Sequence, residues 1–529
     1  MRPLRPGSAR ILACLVVPLA LAVNACGAFL GGDGASAPDP YADAPPYVRA
    51  VHPGTTSIRP LITTGERVPL TGGRAGERFQ FVGIPDGLGL RRARSDRFIL
   101  LVNHEIAYPL GGPAGPLPGG ARISELRLAK RRHAGQQALQ VLTGKPAIEE
   151  IFRGEPPARV PPGTRRLTKL CSGFLADRAV GFDRPIFLNG EEETDWEKPT
   201  FDEGGPSGFA TIGGSTYQLP RVGRAPWENL VVAPGTGRRT VIFALDDGPE
   251  KGNGLHSQLH LYVGTKDARA RHPLSRNGLD SGTLYVLVSA DPSRASEESF
   301  TEKGATLSAR WAEVDWRLTA RELEAASRSA GSFLFARLED GATDPSAPGV
   351  LYFATTGDND APFNPRGRFY RLRFDPEDPT GPALLTLLLD GSEGIVNPDN
   401  IDVNGHGEIA ICEDPQFDDP DEGPGRDASL WIYEIASGRL ARVAEVDRAA
   451  AKRHALAAGP RNAVVPEKDA PGRWEFSGVI DAEEALGRGA WLLDVQAHGL
   501  RIAPESDTVE GGQILQLNWK PTETDTRPD

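Results

Sequence analysis

A short unit of strand and turn recurs along this chain and restricts its fold more than any other feature. Residues 398–401 (PDNI) lead through an Asn-Gly turn into residues 408–414 (EIAICED). Residues 227–230 (WENL) lead in the same way through a Pro-Gly turn into residues 241–247 (VIFALDD). Both read as acid, Asn, aliphatic residue, turn, apolar run and acidic pair. Short apolar runs bounded by Gly, Pro, Asn and Asp are typical of β-strands.

Weaker copies bring the number of units to six. They are residues 85–88 with 101–105, 171–174 with 187–192, 338–340 with 352–358, and 476–478 with 491–494. A strand unit repeated six times at irregular spacing predicts an all-β fold, a six-bladed β-propeller with loop and short helical insertions. The clearest helical pattern, at residues 318–329 (LTARELEAASRS), predicts one of these insertions.

The acidic positions of the unit are expected to meet, although they lie far apart in sequence. In a propeller, the start of each inner strand and the end of the next strand crowd around one mouth of the central channel. A ring of carboxylates there would repel itself unless cations or protons neutralise it. Hard oxygen ligands favour calcium, and only nine histidines occur in the chain, so a His-rich zinc site is not expected.

One unit starts with a cysteine instead of an acid. Cys171 would shift the metal preference from calcium toward iron or zinc, because thiolates are softer ligands than carboxylates. Two alternatives remain open from the sequence. Cys171 is either a small buried apolar residue or one half of a disulfide with Cys412, the other cysteine of the predicted folded part.

The N-terminus predicts export. Residues 1–26 resemble a lipoprotein signal peptide, with three arginines in the first ten residues and an apolar stretch at residues 11–23 that is too short to span a bilayer. The stretch ends in VNAC, which resembles a lipobox, so Cys26 is predicted to be acylated. Ordinary signal cleavage nearby is the alternative.

The rest of the chain is predicted to hold one domain. Residues 27–46 are small and Pro-rich, and they predict a flexible tether. Residues 47–522 are assigned to a single propeller and residues 523–529 to a disordered tail. The protein is therefore expected in the periplasm or on the cell surface, with membrane contact only through its lipid.

The charge balance excludes one class of partner. The chain has 59 basic and 71 acidic residues, a formal net charge of −12, and no basic stripe, so nucleic acid is not an expected partner. A small-molecule substrate and a monomeric state are expected instead.

Several copies of the unit resemble the PhoX family of bacterial alkaline phosphatases. The matching motifs are residues 101–105 (LVNHE), 226–229 (PWEN), 337–340 (RLED), 355–358 (TTGD), and 397–401 (NPDNI) with 412–414 (CED). The resemblance runs in order from about residue 80 to residue 415. Members of that family are exported six-bladed propellers that hydrolyse phosphate monoesters with a mixed iron and calcium cluster.

The resemblance implies roles for particular residues. Cys171 and Glu228 would be ligands on the iron side of the cluster. The remaining cluster carboxylates would be Glu192 (or Glu191), Glu339, Asp399 and Glu413. Arg337 would contact the substrate phosphate, as a guanidinium commonly does.

Three functions remain in competition. The first is a metal-dependent phosphoric monoester hydrolase that uses calcium and iron. The second is a calcium-dependent ester or lactone hydrolase, because calcium also polarises carbonyl groups. The third is a surface lipoprotein that binds calcium without catalysis.

Overall fold

A computed structural model describes residues 43–133, 135–249, 254–358, 361–415 and 425–520. The predicted signal peptide with Cys26, most of the predicted tether and the predicted tail lie outside these residues. No helix among the described residues is both long enough and apolar enough to cross a membrane.

The described chain is mostly β, as the sequence predicts. Its first strands are β1 (Val48–Ala50), β2 (Thr56–Thr63), β3 (Arg67–Pro69), β4 (Arg78–Gln80), β5 (Pro85–Arg94), β6 (Arg97–His104), β7 (Arg122–His133), β8 (Gln136–Pro146), β9 (Glu150–Arg153), β10 (Ala158–Arg159), β11 (Leu170–Ala176), β12 (Ile186–Glu191), β13 (Gly208–Ile212), β14 (Ser215–Gln218), β15 (Trp227–Val232) and β16 (Arg239–Asp246). They are followed by β17 (Gln258–Thr265), β18 (Thr283–Ser289), β19 (Thr306–Val314), β20 (Leu338–Thr343), β21 (Val350–Thr355), β22 (Arg368–Arg373), β23 (Ala383–Leu389), β24 (Pro398–Val403), β25 (Glu408–Glu413), β26 (Ser429–Glu434), β27 (Arg439–Val446), β28 (Ala463–Val464), β29 (Glu475–Asp481), β30 (Ala490–Ala497), β31 (Leu500–Arg501) and β32 (Gly511–Trp519).

Helices are short and lie between strands. They are α1 (Pro273–Arg276), α2 (Ala320–Ser329), α3 (Arg448–Ala458), α4 (Glu483–Leu486) and α5 (Glu505–Thr508). Helix α2 confirms the predicted helical insertion. It begins two residues later than the pattern suggests, because Thr319 caps it by accepting a hydrogen bond from the backbone of Glu322.

The strands form sheets in which most sequence neighbours pair in antiparallel fashion, and β14 pairs with β9 in parallel. Their orders are β5-β6-β7-β8, β10-β9-β14-β13-β12-β11, β15-β16-β17-β18-β19-β23-β22-β21-β20, β1-β27-β26-β25-β24 and β2-β32-β30-β29, with two small sheets of β3-β4 and β28-β31. In the nine-stranded sheet, a five-stranded meander (β15 to β19) and a four-stranded one (β20 to β23) are joined by the pairing of β19 with β23.

Six strands, one from each sequence unit, line the centre. These inner strands are β5, β11, β15, β20, β24 and β29. Each packs against the next in this order, and β29 packs against β5, so the inner strands form a closed ring. The partner of each inner strand, called its second strand here, is β6, β12, β16, β21, β25 or β30.

The apolar core lies between neighbouring sheets. One cluster joins Leu430 of β26 to Leu493 of β30, and another joins Phe243 of β16 to Phe353 of β21. Strands buried on both faces explain why their sequences are nearly continuous apolar runs instead of alternating ones. Three tryptophans, Trp227, Trp474 and Trp491, are fully buried in these layers.

Candidate metal centre

Every inner strand carries a β-bulge at the same place. The pairing with the second strand shifts register between Pro85 and Leu88 in β5, and at the equivalent point in β11, β15, β20, β24 and β29. A bulge turns a side chain out of the regular alternation and is common next to functional sites. The side chains at these bulges are Asp86, Cys171, Glu228, Glu339, Asp399 and Ser477. The recurring acid of the sequence unit is therefore a bulge residue.

Four inner strands are preceded by a residue with left-handed backbone. Ile84, Lys169, Arg337 and Asn397 have φ values of 49°, 42°, 57° and 47°. Such conformations are costly for residues other than glycine and are retained where the surrounding structure enforces them. In the units of β11 and β20, this strained position presents a cationic side chain close to the bulge residue, which is Cys171 or Glu339.

Seven residues from the inner and second strands form three overlapping groups of possible metal ligands, which together are called the mouth cluster. The groups are Asp86, Glu105 and Cys171; Cys171, Glu192 and Glu228; and Glu228, Glu339 and Asp399. Within each group, one ligand atom per residue lies within 4.8 Å of the others. Cys171 and Glu228 are each shared by two groups, so they link the cluster.

The mouth cluster concentrates negative charge away from water. Burial, followed by repulsion from neighbouring acids, raises the pKa of Glu228 and of Asp399 well above the usual range. Burial and the nearby Glu105 raise the pKa of Asp86 to about 7. Atoms Glu228 Oε2 and Asp399 Oδ1 are buried without a hydrogen-bond partner. Because buried carboxylate oxygens normally have partners, these atoms fit the requirements of hard cations.

Four of the second strands are followed directly by an acidic residue that faces this region. Glu105 follows β6, Glu192 follows β12, Asp247 follows β16 and Asp414 follows β25, and all four line one cavity. The last residue of each strand points the opposite way, because side chains alternate along a strand.

This alternation excludes two predicted ligands, Glu191 and Glu413, from the mouth cluster. Glu191 ends β12, and its carboxylate accepts hydrogen bonds from the backbone N–H groups of Phe201, Ser207 and Thr168. Its neighbour Glu192 is the member of the pair that faces the cavity. The resemblance to PhoX left this choice open, and of the two residues the structure places Glu192 at the cavity.

Glu413 ends β25 and is completely satisfied by protein donors. It accepts hydrogen bonds from the backbone of Val396 and Ser429, from the Trp431 indole and from Arg426 at 2.7 Å. Its side chain has no exposed area. The neighbouring Asp414 lines the cavity in its place.

The two cysteines of the described chain are not bonded to each other, so the disulfide alternative is wrong. Both thiols are free and buried. The Cys171 thiol donates to Asp86 Oδ2 at 3.2 Å, inside the mouth cluster. Burial and then the charges of Asp86 and Glu228 raise its pKa well above the usual range. A bound cation is therefore needed to favour the thiolate at neutral pH.

Two cations face the same cavity. Arg337 donates from Nε to Asp247 Oδ1 at 3.0 Å, and its Nη2 lies 3.3 Å from Glu339 Oε1. Its side chain is 31% exposed and lines the cavity. Lys169 also lines the cavity, and the Glu192 carboxylate raises the pKa of its ammonium group above the usual value. Both side chains are therefore charged at neutral pH.

His104 does not join the mouth cluster. Its two ring nitrogens contact the Gly83 carbonyl at 2.9 Å and the Ser124 hydroxyl at 2.7 Å. Burial lowers its pKa to about 3, so the ring is neutral and serves as a hydrogen-bonding spacer between strands.

The cavity over the mouth cluster has a volume of about 390 Å³. Its lining is mostly polar, and Lys169, Arg337, Glu339 and Asp399 are part of it. This arrangement, with several carboxylates and one thiol beneath two fixed cations, suits a site that holds metal ions and an anionic group together.

Comparison with solved structures finds the same fold. Neither a family model nor a curated protein matches this sequence. The structure of Pseudomonas fluorescens PhoX in complex with vanadate, a transition state analogue, superposes with a TM-score of 0.61 at 16% identity. The match covers 89% of this chain and 96% of that one. The resemblance to PhoX inferred from the motifs is thus confirmed at the level of the fold. A Trypanosoma rangeli sialidase reaches a TM-score of only 0.36 at 8% identity, covering 88% of this chain and 59% of that one.

Sequence reasoning did not select several residues of the cavity. Asp86 and Glu105 stand at repeat positions, so the repeat alone could have identified them. Asp247 and Asp414 are the second members of acidic pairs that the repeat also contains. Lys169 carries no signal in the sequence, because its position is occupied by different residue types in the other units.

Proposed function

We propose that this chain is an exported, metal-dependent phosphatase that hydrolyses phosphate monoesters at the mouth cluster. The observation that carries the proposal is the pair of cations, Lys169 and Arg337, that faces a cavity floored by unpartnered carboxylates. Such a site suits a dianionic phosphate held between metal ions and fixed positive charges. The likeness of the fold to PhoX, whose structure contains a transition state analogue, supports the same reaction class.

We further propose that the fold is a six-bladed propeller. Its support is the closed ring of six inner strands, each of which begins an antiparallel meander. In this arrangement the mouth cluster lies where the inner strands converge, so each blade contributes through the same bulge.

The donors of the mouth cluster fit calcium and iron. Carboxylate oxygens such as those of Glu339 and Asp399 are calcium ligands by type, whereas the thiol of Cys171 beside Glu228 favours iron. When bound, these ions would polarise the phosphoryl oxygens and lower the pKa of a coordinated water.

The protein's own residues would orient the substrate. Asp247 and Glu339 fix the Arg337 guanidinium from two sides, so that it does not have to be ordered when the phosphate binds. Lys169 would add a second positive charge. Ser172 donates its hydroxyl to Glu228 and donates its backbone N–H to the same carboxylate at 3.4 Å. These contacts hold Glu228 in position under the cavity.

Export as a lipoprotein anchored at Cys26, a periplasmic or surface location and a monomeric state are parts of the same proposal. Their support is the sequence of residues 1–46 and the absence of nucleic-acid-binding charge patterns.

Elemental analysis combined with 4-nitrophenyl phosphate turnover tests the function. Iron and calcium in the purified protein, with turnover that depends on calcium and disappears in Glu228→Gln, are the expected results. Glu434→Gln is the matched control, because among the described residues the Glu434 carboxylate bonds to Ser437 and Arg439 at the end of β26, away from the cavity. Calcium alone without phosphate turnover would overturn the phosphatase proposal. Lactone hydrolysis would then identify the second candidate, and calcium binding without any turnover the third.

A further inference from the structure

The sixth unit differs in charge from other units at two equivalent positions. Glu475 immediately precedes the bulged part of β29, at the position where Lys169 and Arg337 stand in their units. His498 is the first residue after β30, two residues beyond Gln496, which the register places at the position of Glu105 and Glu192. An acid thus replaces a cation, a neutral amide replaces an acid, and the imidazole of His498 follows at the end of the second strand.

Glu475 and His498 belong to a line of three side chains that reaches the cavity. His498 Nδ1 lies 2.9 Å from Glu510 Oε2, and His498 Nε2 lies 3.3 Å from Glu475 Oε1. The Glu510 side chain is 28% exposed, whereas that of Glu475 is 8% exposed. Both Glu475 and His498 line the cavity. The line therefore connects solvent, through the imidazole, to a carboxyl group inside the candidate site.

The surrounding charges keep protons on this line. Burial opposes the charge of His498, but Glu510, Asp414 and Glu105 raise its pKa above the usual value. Burial and a hydrogen bond with Asp414 raise the pKa of Glu475 well above the usual range. Lys468 is the nearby cation that acts on Glu510. The 3.3 Å separation of His498 Nε2 from Glu475 Oε1 lets a proton pass between the two groups at the cavity end of the line.

We propose that Glu510, His498 and Glu475 form a proton relay, with Glu475 as the general acid that protonates the leaving oxygen of the substrate. This inference rests on the proposed phosphatase function. As the P–O bond breaks, the bonding pair stays on the ester oxygen, which takes the proton of Glu475 and leaves as an alcohol. His498 returns a proton to Glu475 and is itself reprotonated from solvent through Glu510. The attacking water supplies the new P–OH group and gives its other proton to solvent, which replaces the proton that Glu510 takes up.

The relay predicts a substrate class. Alkyl phosphates, such as those of polyols and sugars, have leaving groups that are strongly basic as alkoxides and gain most from protonation. Aryl phosphates with acidic phenols leave as anions and gain little. The site is therefore built for alkyl phosphate monoesters.

Leaving-group dependence tests the relay in the full-length, metal-loaded protein. For Glu475→Gln, we expect kcat/KM for glycerol phosphate to fall about 100-fold, the size of a typical general-acid contribution. The loss for 4-nitrophenyl phosphate should be smaller by at least about tenfold. His498→Gln should show the same selectivity, and Glu510→Gln a weaker form of it. His406→Gln is the control, because His406 pairs with Glu483 and its side chain is 43% exposed.

Metal content and folding are measured on every variant. Equal losses for both esters, or loss of metal from Glu475→Gln, would overturn the relay, because either would show that Glu475 only maintains the site. If Glu475→Gln does not fold, Glu510→Gln, at the more exposed end of the line, decides the question through the same ratio of rates. Turnover of neither ester by the wild-type protein would instead overturn the proposed function, and the relay with it.

Discussion

Two sets of buried acids in this protein have opposite surroundings. In the mouth cluster, Glu228 and Asp399 keep carboxylate oxygens without hydrogen-bond partners. Outside the mouth cluster, Glu413 and Glu297 are just as buried, but their carboxylates accept hydrogen bonds from protein donors. Glu297 accepts hydrogen bonds from the Ala336 backbone and from the side chains of Thr355, Asn364 and Tyr370.

The difference shows what distinguishes a candidate site from a structural anchor. Burial raises the cost of a charge in both sets. Protein donors offset that cost for the structural anchors Glu413 and Glu297, whereas the mouth cluster requires cations or protons from solution. Glu297 also accepts a hydrogen bond from the backbone of Ala336, the residue before Arg337. This structural anchor therefore helps to position a cation of the cavity.

Removal of an anchor should give the largest effect on stability. Glu413→Ala leaves Arg426 and two backbone donors without their acceptor, and we expect the free energy of unfolding to fall by about 3–5 kcal/mol. Metal content per folded molecule should not change. Chemical denaturation and elemental analysis measure both quantities. Loss of metal without loss of stability would place Glu413 among the ligands after all.

A substitution in the mouth cluster should have the opposite effect on stability and should impair turnover. Asp399→Asn removes one of several mutually repelling charges, so the metal-free protein should become more stable. We expect turnover to fall by at least about 100-fold, because a group that stabilises the transition state is impaired. Thermal unfolding with a chelator and steady-state kinetics provide the measurements. A variant that is less stable without metal would show that Asp399 is an anchor.

The close approach of the inner strands should be needed for the mouth cluster. A Cβ atom at Gly87 would lie 2.3 Å from the Gly173 nitrogen on the neighbouring inner strand. Gly87→Ala is therefore expected to cost about 2 kcal/mol of stability and to weaken metal binding. Gly405→Ala is the matched control, since nothing lies within 4 Å of its added Cβ. Equal behaviour of the two variants in denaturation and metal titration would contradict the packing argument.

The smallest expected effect concerns pH. Burial lowers the pKa of His260, which packs against Trp227, to about 4. The unfolded chain takes up this proton near pH 6.5 and the folded protein only near pH 4, so stability is lost as the pH falls between these values. Between pH 6.5 and 5 the loss should be about 1.5 kcal/mol. Chemical denaturation at both pH values should show that this loss of unfolding free energy is absent in His260→Leu. The control His406→Gln should show the same loss as the wild-type protein.

Much of the architecture was predictable because the strand units are local patterns. The apolar runs at residues 97–102, 240–245 and 349–354 correspond to β6, β16 and β21. Apolar runs with turn residues at their ends carry the same signal wherever they occur. The nine-stranded sheet was not predictable, because it depends on the pairing of β19 with β23 across an insertion.

The candidate site was predictable in type more than in detail. Cys171, Glu192, Glu228, Glu339 and Asp399 do come together, whereas a shift of one residue separates Glu191 from Glu192 and Glu413 from Asp414. A strand reverses the direction of its side chains at each residue, and a bulge resets that alternation. The composition of an acidic pair does not reveal which member faces the channel.

The pairing of β2 with β32 has a consequence for the order in which the protein is made. Thr63 and Gln513, which hydrogen-bond across this pair, are 450 residues apart. At a synthesis rate of about 5–20 residues per second, the partner of β2 emerges roughly 20–90 s after β2 itself. Strands β29 and β30 belong to the same sheet and also lie late in the sequence, so their acidic residues are among the last to be synthesised. The finished site is therefore a product of the complete chain, and a nascent or C-terminally truncated chain would hold only a fragment of it.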